Sequence, residues 1–162
     1  MRHRVDNSRM WHSGGSTRVE LTIALITIVV WVSLALPAYT DYVTRSRLRE
    51  AHILLTDVSA NMERHREKAS NYVGGPCAPT GPFTDQVKHF EFSCAPGEPT
   101  ARTFAVLATG KADTAIEGIT YSVDESGVRT TVIAPGSRMA DQGYPSSRTC
   151  WIARPSGRCV AR

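Results

Sequence analysis

Three groups of residues in this 162-residue chain are of types that do chemistry. The first is a single carboxylate, Glu20, at the N-terminal edge of an apolar run that meets no further formal charge until Asp41. A charged side chain in lipid costs about 2.5–3.5 kcal/mol on insertion scales, so a carboxylate placed there calls for a partner and a purpose. The second is the set Cys77, Cys94, Cys150 and Cys159. No C-x-x-C and no zinc-finger spacing occurs among them, so thiol redox catalysis and structural zinc are disfavoured. Two disulfides formed in an oxidising compartment are the economical reading, with the neighbouring pairs Cys77–Cys94 and Cys150–Cys159 preferred among three connectivities. The third group is Arg148, Arg154, Arg158 and Arg162 around Trp151. Basic side chains interleaved with an aromatic can hold a phosphate backbone and stack on bases, so these residues are candidates for DNA contact. The plainer reading, and the preferred one, is a solvated basic rim with Trp151 packed inward.

Nothing else in the chain has a catalytic setting. Ser146, Ser147 and Ser156 sit in polar stretches without G-x-S-x-G, and no G-x-x-x-x-G-K-[ST] occurs. Asp124 and Glu125 fall in a turn, where polar residues are expected anyway. His52 and His65 lack a second ligand at metal spacing and read as solvated or partly buried. The chain therefore reads as no enzyme, with no cofactor and no metal. The formal charge of +4 owes much to Arg2, Arg4 and Arg9 in the first fifteen residues, and is weak evidence for a nucleic-acid partner.

The elements that position these groups follow from periodicity. Residues 16–40 are apolar over the roughly 20 positions that a membrane-crossing helix needs. Basic residues before the run would hold that end in the cytoplasm and send the remainder across. Beyond Asp41 the pattern stays helical but becomes amphipathic: Leu48, Ala51, Leu55, Val58, Met62 and Ala69 form a stripe at three- and four-residue spacing. Pro37 is expected to kink or locally unwind the helix, and Asn71–Pro76 to end it. Four strand-like runs follow, at 87–94, 103–109, 118–124 and 127–133, the last two joined as a hairpin through Asp124–Gly127. Short connections imply an antiparallel sheet, one face of which covers the helix stripe. The fold class is therefore α+β.

Gly15, Ser16, Glu20 five residues after the glycine, and a run ending in Leu36-Pro-Ala-Tyr-Thr-Asp-Tyr-Val-Thr-Arg-Ser-Arg47 together resemble a type IV pilin with a class III signal. The T-Y-S-V-D-x-x-G strand end and the final C-W…G-x-C resemble the PilE-type minor pilins in particular. The resemblance implies cleavage by a prepilin peptidase between Gly15 and Ser16, followed by N-methylation of Ser16. It also implies that Glu20 pairs with the new amine of a neighbouring subunit, and that Pro37 matches the proline near mature position twenty-two. The implied plan is a leader over 1–15, a filament-core and membrane helix over 16–40, its amphipathic continuation over 41–72, and an exported head over 73–162. The implied localisation is the inner membrane, single-pass with the head in the periplasm, and then the pilus outside the cell. Implied partners are other pilin subunits, the peptidase and the assembly machinery, with DNA or a host surface as outer contacts. Roles carried by the resemblance are pilus biogenesis, adhesion, twitching motility and DNA uptake. Ser16 and Arg18 stand where the family usually has apolar residues, which suits a rarely incorporated subunit. A pseudopilin of a type II secretion system shares the helix chemistry, but often has a carboxylate-rich calcium loop that is not apparent here. A membrane-anchored exported binding module is the alternative from another class.

Overall fold

The computed structural model describes residues 17–160. They form a long helix α1 (Arg18–Ala69), a short 3-10 turn (Gly81–Gln86), strands β1 (Phe90–Cys94), β2 (Ala105–Gly110), β3 (Ile119–Asp124) and β4 (Arg129–Ile133), and a single turn of helix α2 (Arg138–Asp141). The chain divides into two compact units between Tyr39 and Thr40.

The first unit is the apolar part of α1. Thr17 caps it: the Glu20 amide donates to Thr17 Oγ1 at 3.4 Å and the Leu21 amide to the Thr17 carbonyl at 3.1 Å. The hydroxyls within the run turn back on their own backbone, Thr22 to Arg18 O at 2.7 Å, Thr27 to Ala24 O at 2.8 Å and Ser33 to Val30 O at 2.8 Å. A hydroxyl satisfied in this way can sit in hydrocarbon without an orphaned donor. No other described residue covers the apolar side chains: from Val19 to Leu36 the large ones are about half or more exposed, Trp31 at 73%. The best window has a mean hydropathy of 2.4, which makes this one helix long and apolar enough to cross a membrane. The helix is not unwound at Pro37, contrary to one of the two expectations for it. Proline removes a single backbone donor, and the flanking turns keep theirs.

The second unit is the head. Its core is the α1 stripe Leu48, Ala51, Leu55, Val58 and Met62, each at most 1% exposed, against the inward residues of the sheet. The expected stripe changes at two points. Leu54 joins it as a buried residue, and Ala69 leaves it, being exposed at the last position of the helix, where Ser70 turns to φ 60°. Tyr72, buried beyond the end, takes over that part of the core and donates from its hydroxyl to Glu63 Oε1 at 2.8 Å.

The sheet is antiparallel in the order β1-β2-β3-β4. Phe90 pairs with Gly110, Cys94 with Val106 and Tyr121 with Thr131. Alternation puts Ile119, Tyr121 and Val123 of β3 inward, as the two-residue period requires. The last residue of β2 is Gly110, where a Cβ would overlap the Ile116 carbonyl oxygen. In the β3–β4 turn, Asp124 Oδ1 accepts from the amides of Ser126 and Val128. The strand expected from Val87 begins only at Phe90. The Lys88 and His89 amides both donate at 2.8 Å to Glu50 Oε1 on α1, not to a neighbouring strand.

Disulfides join Cys77 to Cys94 and Cys150 to Cys159. The first ties the connection after α1 to the end of β1, and the second closes the terminal loop. On the chain-entropy model each contributes about 3 kcal/mol.

The burial pattern predicts contrasting costs for adjacent faces of α1. Leu55→Ala should destabilise the head by about 2–5 kcal/mol in denaturant unfolding, whereas Ile53→Ala, at a position 59% exposed, should change it by no more than about 0.5 kcal/mol.

Candidate functional site

The C-terminal segment is a small hairpin laid against the sheet and α1. Ile152 bridges to Cys159, the Ala153 amide donates to Arg158 O at 3.0 Å, and the Val160 amide donates to Trp151 O at 2.8 Å. Arg154-Pro155-Ser156-Gly157 forms its turn, with Pro155 preset at the second position and the Gly157 amide returning to Arg154 O at 3.0 Å. Thr131 on β4 anchors the base of the hairpin: its Oγ1 donates to Cys150 O at 2.9 Å and accepts from the Ile152 amide at 3.0 Å.

Trp151 is the centre of the anchorage. It is 2% exposed, and its Nε1 donates to Ser122 O at 2.8 Å. One face of the indole is stacked on His52 of α1, with centroids 5.3 Å apart and planes within 4°. The Arg129 guanidinium lies 4.4 Å from the ring centroid. Tyr121 meets His52 edge-on at 4.7 Å and donates its hydroxyl to Ile152 O. A helix residue, three strand residues and the terminal loop are thereby fixed to one another. Trp151 has no face left for a base, so the expectation that it stacks on DNA does not hold. The preferred reading, with Trp151 packed inward, is the one the structure contains.

Arg148, Arg154 and Arg158 of the same segment are exposed. Across from Arg154 and Arg158 stand Arg45 and Arg49 of α1, and these four arginines line one cavity of about 240 Å³ with His52. Arg45 is paired with Asp41. Among the described residues, the side chains of Arg49, Arg154 and Arg158 have no hydrogen-bond or ion-pair partner. Sequence reasoning named the two loop arginines but not the two on the helix. About a hundred residues separate them, and only the packing of Trp151 on His52 brings them to one place.

Among the described residues, two buried side-chain polar atoms have no hydrogen-bond partner, His52 Nε2 and Tyr144 Oη. Burial pushes the His52 imidazole down to about 4, and the Arg129 and Arg49 charges push the same way. His52 is therefore a neutral core histidine at pH 7, more deeply placed than the sequence implied. Tyr144 is raised, first by burial and then by Asp41, with Arg45 and Arg154 opposing. On the opposite flank of α1, Glu50 accepts the two amides noted above and lies 2.6 Å from His89 Nδ1. Burial alone would raise its carboxyl; these hydrogen bonds outweigh burial and lower it.

Of the other expected site residues, Gly15, Ser16 and Arg162 lie outside the described residues. Glu20 occupies the first turn of α1, where the helix dipole favours a carboxylate. Its side chain has no partner among the described residues. Residue 37 lies within α1, seventeen positions further on. The four cysteines are paired as described.

A long N-terminal helix with an uncovered apolar half, a four-stranded antiparallel sheet on its amphipathic half and a disulfide-closed C-terminal loop define the type IV pilin fold. A family model described as type IV minor pilin ComP, DNA uptake sequence receptor, matches residues 37–117, half of the chain. The chain belongs to this family of type IV minor pilins. It is also 31% identical over 61 residues to a fimbrial protein of Moraxella nonliquefaciens. That alignment covers 38% of this chain and 40% of that protein, so the chain spans less than half of the curated relative it matches. No solved structure matches it. The family is a structural one, whose members associate with other pilus components.

The buried imidazole makes head stability pH-dependent. Between about 6.5 and 4, the unfolded chain takes up a proton at His52 that the native state refuses, so stability falls as pH drops through that window. The expected loss is about 3 kcal/mol. His52→Phe should remove the dependence between pH 6.5 and 4.5 in denaturant titrations, while the loss at lower pH, where Glu50 is protonated, should remain.

Proposed function

We propose that this protein is a minor subunit of a type IV pilus, held in the inner membrane by α1 with its head in the periplasm and then built into or priming the filament. The observation that carries this reading is the apolar half of α1, wholly exposed and continuous with the helix that forms the core of the head. Such a surface is covered by lipid before assembly and by the equivalent helices of other subunits after it. Cleavage between Gly15 and Ser16 by a prepilin peptidase, with methylation of the new amine, leaves that helix intact. Glu20 then sits close to a fresh terminal ammonium and is placed to pair with the amine of a neighbour. Methylation keeps the amine charged, so the attraction survives the modification.

Within that role, the function we assign is contact with DNA during uptake. The description of the matching family as a DNA uptake sequence receptor supports it. The exposed guanidiniums of Arg148, Arg154 and Arg158, held on a disulfide-closed loop, supply the charge. The matched residues end before this loop, so its share of the contact rests on charge and exposure.

Labelled duplex DNA, titrated with the full chain in neutral detergent over a range of salt, tests the assignment. Affinity should fall steeply with salt, and Arg148→Ala, Arg154→Ala and Arg158→Ala combined should flatten the log–log slope by about 0.9 for each phosphate contact removed. A combined variant that binds with the parent's affinity and slope would refute the loop as the DNA surface.

A further inference from the structure

The cavity between α1 and the terminal hairpin lies wholly within the unit that begins at Thr40. Arg45 and Arg49 line it from the helix, and Arg154 and Arg158 from the hairpin. Among the described residues, the one carboxylate paired with any of them is Asp41, on Arg45. Arg49, Arg154 and Arg158 are left without a counter-charge. Guanidiniums brought together in this way repel one another, and an anion placed between them converts the repulsion into charge-assisted hydrogen bonds. His52 points the same way. It is 7% exposed and lines the cavity, and its Nε2 finds no partner among the described residues. Buried polar groups are normally hydrogen-bonded, so an unmet polar atom stands here beside unmet positive charge.

The number of the charges says which anion. A carboxylate carries one charge and two oxygens, too few for three unpartnered guanidiniums. A phosphodiester inside a nucleic-acid strand also offers one charge and two free oxygens, and has sugar on both sides of it. A phosphate monoester carries about 1.5 to 2 negative charges at neutral pH and three strong acceptor oxygens. That is one oxygen for each of Arg49, Arg154 and Arg158, and the planar guanidinium fork matches such oxygens in shape. Its charged group is terminal, so it can enter a small site end-on. The cavity of about 240 Å³ is smaller than the roughly 300–1,000 Å³ of sites for drug-sized ligands. It has room for a phosphate and a small substituent, and Leu48 and Val160 give it an apolar side for the latter.

We propose that this cavity is a binding site for a doubly charged phosphate group, either free phosphate or the terminal group of a small monoester, held by Arg49, Arg154 and Arg158. Arg45, paired with Asp41, adds to the positive field. Occupancy ties the hairpin to α1 through the anion as well as through the stack of Trp151 on His52, and so stabilises the head. The proposal does not rest on the DNA reading, and no DNA enters its test, so either can fail without the other.

The test uses the full chain in a neutral detergent at constant ionic strength, which fixes the screening. Methyl phosphate is the probe, and dimethyl phosphate and acetate are the singly charged controls. Inorganic phosphate and adenosine 5′-monophosphate distinguish the sources. Thermal unfolding and the imidazole NMR signals of His52 are the readouts. The Arg49 charge acts on that imidazole, so an anion on Arg49 is felt there. Methyl phosphate should raise the melting temperature in a saturable way and shift the His52 signals, with both controls about tenfold weaker or more, the usual cost of one charge-assisted hydrogen bond. Arg49→Gln should weaken the methyl phosphate response by a similar factor. Arg158→Gln, on the exposed hairpin, should do the same and serves if the helix variant folds poorly. Tighter binding of adenosine 5′-monophosphate than of inorganic phosphate supports the site with a nucleotide as its source, and the reverse order supports it with free phosphate. The proposal is overturned by equal responses to methyl and dimethyl phosphate, by no response to methyl phosphate, or by an undiminished response in both variants. A Tm shift with unmoved His52 signals also overturns it, because it places the anion elsewhere.

Discussion

An apolar half-helix that no other described residue covers is the constraint on which the rest of this structure depends. Each of its large side chains, left in water, forgoes about 1.5–3 kcal/mol of burial, so the segment is untenable until something else encloses it. Lipid does so for a membrane protein, and the neighbouring helices do so in a pilus. The details of the segment conform to that need: its hydroxyls are satisfied by its own backbone, and its carboxylate is confined to the first turn. In the filament role proposed for the chain, the same segment would meet the helices of other subunits, where such a carboxylate can be paired.

The second half of α1 works under the opposite condition. Here the same helix must bury a face, and the sheet supplies the cover. Three contacts lock the two together on different flanks: Glu50 takes the amides ahead of β1, Tyr72 closes the far end, and His52 stacks on Trp151. The last of these is the most consequential. It joins the C-terminal hairpin to the helix, and so decides which basic residues of a chain with scattered arginines stand side by side. The cost is a buried imidazole that must stay neutral, which links the integrity of the arginine site to pH.

Much of this architecture was legible in the residues themselves. The change from an unbroken apolar run to a three-and-four spacing marked both halves of α1, because a helix enclosed on all sides and a helix packed on one face need different patterns. The strands showed as β-branched alternation, as in Ile119, Tyr121 and Val123. What the residues did not reveal was set by tertiary contact. Val87 to His89 look like strand, but Glu50, some forty residues earlier, claims their amides. Ala69 continues the stripe by spacing, yet the sheet no longer faces it there. Trp151 among arginines left a stacking platform open beside the preferred inward packing, and its meeting with His52 and Ser122 decides for the core. Arg45 and Arg49 carry no local sign of a site at all, since the loop that completes it lies about a hundred residues away.

The claim that all of this rests on is that the apolar half of α1 is kept and used as an assembly element rather than removed or left as a tether. Mass spectrometry of the protein extracted from membranes and from sheared filaments tests it directly. The account predicts a mature chain beginning at N-methylated Ser16 in both fractions. A chain that retains Met1, or one that begins after Ala38 and so has lost the segment, would contradict it.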